Sequence, residues 1–106
     1  MSQHVFDAFA TVTPLNSVAR PVEVFCGWDR PDQRHFLVVE DMSDAAQEQP
    51  FAQYVFSNLR LPGGGQMTAQ DVVDTLVAHG VPVPDGLLEA LQEDKAQDKG
   101  EGRRHW

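Results

Sequence analysis

Residues 21–42 read PVEVFCGWDRPDQRHFLVVEDM, and this stretch decides the fold. Its first half alternates. Val22, Val24, Cys26 and Trp28 fall on one face of an extended chain, and Glu23, Phe25, Gly27 and Asp29 on the other. Pro21 is tolerated at the head of such a strand, where no ladder N–H is required. Gly27 signals a bulge or the close approach of another backbone. Arg30-Pro31-Asp32-Gln33 then supplies a turn, in which Pro31 presets φ and Asp29 or Asp32 can accept from nearby backbone N–H groups. Phe36, Leu37, Val38 and Val39 follow without interruption. Four consecutive apolar residues cannot share one face, so the strand from Arg34 to Glu40 is expected to be central and covered on both sides. Centred on this turn, the hairpin brings Trp28 near Phe36 and Cys26 near Val38.

Upstream, Phe6, Ala8, Ala10 and Val12 alternate with Asp7, Phe9 and Thr11, the pattern of another strand. Pro14, Asn16, Ser17 and Pro21 mark the loop that joins it to the hairpin. Downstream, DMSDAAQEQP (41–50) is a polar connection with room for a helical turn, and Ala52 to Leu59 reads as a fourth strand. The glycine-rich LPGGGQM (61–67) is a link and not a phosphate-binding loop, because no Gly-Lys-Ser/Thr follows it.

The period then changes from two to about 3.6. Thr68 and Asp71 form a capping pair, and Ala69, Val72, Val73, Leu76 and Val77 make an apolar stripe. Gly80 fits the position just past the helix end, and Pro82 prevents its continuation. A second helix is expected from an Asp85 cap, with Leu87, Leu88 and Leu91 as its buried face. Beyond it, Glu89–Glu93, Asp94–Asp98 and Lys95–Lys99 are like-charge i,i+4 pairs that weaken a helix. The expected organisation is therefore one α+β domain over 1–94 and a disordered tail over 95–106. The domain would be a three- or four-stranded antiparallel β-meander with two following helices packed on it. Its core would include Val24, Phe36, Val38, Val55 and Leu59.

With 106 residues, a 42% hydrophobic share and 23% charged residues, the chain has the composition of a globular domain that can bury one core. No apolar run approaches the roughly 20 residues that span a bilayer, and MSQHVFDAF lacks the pattern of a secretory signal. One cysteine forms no internal disulfide, which suits a reducing cytoplasm. The net charge is −8; residues 61–94 hold six acids and no base, while 95–106 hold four bases. A basic stripe for nucleic acid is thus missing from the domain.

Cys26-Gly27-Trp28-Asp29-Arg30-Pro31, Phe36-Leu37-Val38-Val39 and Tyr54-Val55-Phe56-Ser57-Asn58-Leu59 together resemble a pattern found in small bacterial proteins of unknown function. The resemblance spans about residues 20–95. It implies a compact strand-then-helix domain and carries over no catalytic residue.

Two surfaces are candidates for partner binding. Trp28, Asp29, Arg30, Asp32 and Arg34 cluster at the hairpin tip, with the aromatic-plus-Arg composition of interaction hot spots. Asp71, Asp74, Glu89, Glu93 and Asp94 would form an acidic face if the two helices lie side by side. Cys26 is the candidate nucleophile, but a thiolate needs a base beside it. On the expected register His35 lies on the opposite face, which leaves Cys26 as a small buried hydrophobe. His4, His35, His79 and His105 show no metal-ligand spacing, so no metal or other cofactor is expected. The first reading is a non-enzymatic protein-interaction or regulatory module in the bacterial cytoplasm, using the hairpin tip or an edge strand. The alternatives are an acidic mimic that blocks a nucleic-acid-binding protein and a small enzyme using Cys26.

Overall fold

The computed structural model describes residues 2–11, 19–48, 53–58 and 67–106. Its elements run β1 (Ser2–Ala10), β2 (Arg20–Asp29), β3 (Arg34–Asp41), α1 (Asp44–Gln47), β4 (Tyr54–Ser57), α2 (Ala69–Ala78), α3 (Leu87–Ala96) and β5 (Gly102–His105). The strands form one sheet in the order β4-β3-β2-β1-β5. The first four follow the antiparallel meander expected from the alternation. The fifth is an addition: Gly102–His105 runs parallel to β1, so the sheet is five-stranded and mixed. In place of the expected tail over 95–106, α3 continues to Ala96 and β5 follows. Val12, Ala52, Leu59 and the glycines of the link lie outside the described residues.

The hairpin register differs from the expected one by a single residue. Asp29 pairs with Arg34, Trp28 with His35, Gly27 with Phe36 and Cys26 with Leu37. The loop holds four residues, closed by the Gln33 N–H donating to the Arg30 carbonyl at 3.3 Å, with Gln33 at φ 51°. Because side chains alternate, one residue of slip moves a whole strand face. His35, Leu37 and Val39 therefore share the face of Trp28, Cys26 and Val24, and Phe36 and Val38 lie on the other.

Both helices cover the first face. Phe6, Ala10, Val22, Val24, Cys26, Leu37 and Val39 from the sheet pack with Ala69, Val72, Leu76, Leu87 and Leu91 from the helices. The Thr68–Asp71 capping box is formed in both directions, and Gly80 takes the positive φ of 71° that ends the helix. Val77, expected in the core, is 64% exposed, because it falls at the margin of the stripe. Gly86 and not Asp85 caps α3, at φ 87°. Of the expected sheet core, Val24 and Phe36 are buried, and Val38 and Val55 are half-buried. Asn58 is fully buried and extends the sheet with its side chain: Oδ1 accepts from the Leu37 N–H at 2.9 Å and Nδ2 donates to the His35 carbonyl at 3.2 Å. No helix among the described residues is long and apolar enough to cross a membrane.

Candidate functional site

The even-numbered residues of β1 face the helices, so the alternation that buries Phe6 and Ala10 also turns Ser2 and His4 inward. On α3, Leu87, Leu91 and Asp94 recur at i, i+4 and i+7, and these are its buried residues. Asp94 thus occupies an apolar position of the stripe, with its side chain only 8% exposed. Ser2, His4 and Asp94 meet there.

One carboxylate oxygen holds the other two residues. Asp94 Oδ2 accepts from Ser2 Oγ–H at 2.7 Å and from His4 Nε2–H at 2.7 Å. The direction of the second bond follows from the other ring nitrogen. An indole N–H can only donate, and that of Trp106 donates to His4 Nδ1 at 2.9 Å. His4 is therefore the neutral Nε2–H tautomer. Ser2 Oγ in turn accepts the backbone N–H of Trp28 at 2.9 Å. The Arg104 guanidinium lies 4.0 Å from the centre of the Trp106 ring.

These are the residue types of a nucleophilic relay in an arrangement that does not make one. In a relay the serine proton goes to a histidine nitrogen whose opposite nitrogen is oriented by the carboxylate. Here the carboxylate takes both protons, and the nitrogen that would act as base is occupied by Trp106. Ser2 therefore has no histidine base, and its hydroxyl donates directly to the Asp94 carboxylate. The cluster instead joins β1 to α3 and to the residue that follows β5.

Cys26 lies on the same face, fully buried, with its Sγ 3.9 Å from the His4 carbonyl. Burial, reinforced by the negative charge of Asp94, pushes its thiol up to about 12. His35 does share this face, contrary to the sequence expectation, but it pairs with Trp28. Its Nε2 donates to the Leu91 carbonyl at 2.8 Å. Burial holds its pKa below the usual histidine value, against the pull of that carbonyl.

The hairpin-tip residues divide between interior and surface. Trp28 is 3% exposed, its ring edge-on to His35 at 5.0 Å, and Asp29 is also buried. The Trp28 indole donates to Asp98 Oδ1 at 2.9 Å, the Gln33 amide to the same oxygen at 2.8 Å, and Arg30 lies 3.4 Å from Asp98 Oδ2. These donors hold the Asp98 carboxyl below its usual range. The tip is thereby fastened to the end of α3. Arg30 and Asp32 face solvent, and Arg34 is mostly covered. The acidic set divides too: Asp71, Asp74, Glu89 and Glu93 are exposed, while Asp94 is the buried acceptor just described.

A cleft of about 240 Å³ opens beside Asp94, between the Ala90–Glu93–Asp94–Gln97 side of α3 and the strands β1 and β5. Ser2, Gln3, His4, Lys99 and Arg104 also line it. Among the described residues, no three of His, Cys, Asp and Glu gather as a metal site requires. Sequence reasoning missed Ser2, His4, Asp98 and Trp106. Two signals were available: His4 shares the parity of Phe6 and Ala10, and Asp94 stands seven residues after Leu87 on one stripe. No family model, curated protein or solved structure matches the chain.

Proposed function

We propose that the protein is a non-enzymatic interaction module of the bacterial cytoplasm, and that its contact surface is the outer edge of β5. The partner is another protein that offers an extended acidic segment. One observation carries this reading: β5 ends the sheet, and all four of its residues are exposed. The Trp106 N–H donates to the Val5 carbonyl at 2.9 Å, which sets the phase of the parallel ladder. Arg103 and His105 consequently turn their backbone N–H and C=O groups outward. A free strand edge is a template for another strand.

The side chains select the occupant. Arg103, Arg104 and His105 are consecutive, in a chain whose net charge is −8. A second copy pairing through the same edge would set arginines against arginines or histidines, and like charges directly opposite disfavour pairing. An acidic strand meets no such repulsion. The alternative surface at the hairpin tip has less to offer, since Trp28 is spent inside the fold.

The test is a titration of the ¹⁵N-labelled protein with an alternating Glu-Val octapeptide. Saturable shifts at the Arg103 and His105 amides are expected. The double substitution Arg103→Glu, Arg104→Glu should abolish them, and higher salt should weaken them. An alternating Lys-Val octapeptide binding equally well, or no shift at these amides, would overturn the reading.

A further inference from the structure

The cleft beside Asp94 is a second feature, and it shares Arg104 with β5. Asp94 is more than nine-tenths buried, and both of its protein hydrogen bonds go to Oδ2. Oδ1 takes none from the described residues, and Asp94 lines the cleft. Oδ1 is not among the fully buried oxygens that lack a partner, so it keeps contact with solvent at the cleft. A cation or a strong N–H donor entering from the cleft can therefore reach it.

The rim carries both charges: Glu93 lines it on the α3 side, and Lys99, Arg103 and Arg104 line it on the β5 side. Lys99 bends across the start of β5, its Cε 2.8 Å from where a side chain on Gly102 would begin. Arg104 shares the His4 side of the strand by register. Neither forms an ion pair with Asp94. The Gln3 and Gln97 amides add neutral donors and acceptors along the wall. An acidic α3 wall facing a basic β5 wall across about 240 Å³ suits a ligand bearing both charges. That volume is below the roughly 300 Å³ at which drug-sized sites begin.

We propose that this cleft binds a small amino-acid-like zwitterion, its ammonium group on Asp94 Oδ1 and its carboxylate between Lys99 and Arg104. His4 and Ser2 hold the Asp94 carboxylate in place from behind. Occupancy bears on the Trp106 side chain through His4, so the indole N–H of Trp106 is a built-in reporter.

The experiment follows the indole and amide signals of the ¹⁵N-labelled protein during titration with L-alanine. Ethylammonium and propionate serve as probes with a single charge each. L-alanine should shift the Trp106 indole and the Gln3, His4 and Gln97 amides saturably, and each single-charge probe should bind at least about tenfold more weakly. Lys99→Ala, an exposed change that leaves the core intact, should weaken L-alanine by a similar factor, and Asp94→Asn should weaken it further. Equal response to all three probes, no saturable shift with L-alanine, or full affinity in Lys99→Ala would overturn the proposal. Peptide binding at the β5 edge is read at different signals, so failure of either idea is visible separately.

Discussion

Replacing Asp94 by alanine should remove more stability than any other change of a charged residue on α3. Two buried donors lose their acceptor: the Ser2 hydroxyl and the His4 Nε2–H. Neither has a ready substitute. Ser2 Oγ is held by the Trp28 N–H, and His4 cannot shift its proton to Nδ1 without expelling the Trp106 indole. Hydrogen bonds to a charged acceptor contribute about 1.5–3 kcal/mol each. Their combined loss is partly offset by relief from burying the carboxylate, which itself costs several kcal/mol by order of magnitude. The net expectation is a loss of about 2–4 kcal/mol, against about 5–15 kcal/mol for a domain of this kind. Urea unfolding at pH 7, followed by tryptophan fluorescence, measures it. Glu93→Ala, one residue away and exposed, should stay within about 0.5 kcal/mol of wild type. Asp94→Asn keeps one acceptor and should fall between the two. A cycle with Ser2→Ala should show coupling of at least about 0.5 kcal/mol. If Asp94→Ala unfolds within about 0.5 kcal/mol of wild type, or the cycle is additive, the cluster does not hold these elements together and the reasoning fails.

Gly27→Ala should destabilise by about 2–4 kcal/mol, read in the same urea assay, because the added Cβ would collide with the Ser2 carbonyl oxygen of the neighbouring strand; near-native stability would mean that the two backbones do not approach so closely. Cys26, buried and with its thiol pushed up to about 12, should resist a thiol reagent at pH 8 and react only in denaturant; rapid labelling of the folded protein would contradict its placement. His35 gives a pH dependence of known sign. Its folded pKa lies below the ordinary 6.5, so as the pH falls below that value the unfolded chain takes up the proton first and stability declines, by at most about 1.4 kcal/mol per pH unit. The decline between pH 7 and 5 should be shallower in His35→Phe than in wild type, and equal slopes would refute the assignment.

The strand-then-helix order was legible because each element carries a strong period. The Val22–Trp28 alternation, the Thr68–Asp71 cap and the Val72–Leu76 stripe each state their structure locally. The hairpin register was not legible to the residue. It depends on whether Gln33 belongs to the turn or to the strand, and Gln33 enters the turn at φ 51°, a conformation that a glutamine does not announce. That one residue exchanged the faces of β3 and removed His35 from the helix side on paper. The strand β5 was hidden for a different reason. Its sequence, GRRH, has no apolar alternation, and the like-charge pairs before it argue for unwinding. What holds it is non-local: a ladder on β1 and the Trp106 indole on His4.

The candidate site illustrates where local reading stops. By sequence, Asp94 groups with Asp71, Asp74, Glu89 and Glu93 as one acidic face if the two helices lie side by side. Its helical position says otherwise, since the Leu87–Leu91 stripe continues directly onto it. A charge on a buried stripe is stable only with partners, and those partners stand some 90 residues away, on β1. Their presence could be inferred from the rule that buried charges are paired; their identity required the parallel placement of β1 beside β5 and beneath α3. The same arrangement leaves Ser2 without a histidine base, because the Trp106 indole occupies the nitrogen of His4 that does not face Asp94. The two proposed binding surfaces meet at Trp106, whose indole N–H reaches His4 on the cleft side and whose backbone N–H continues the β5 ladder onto Val5.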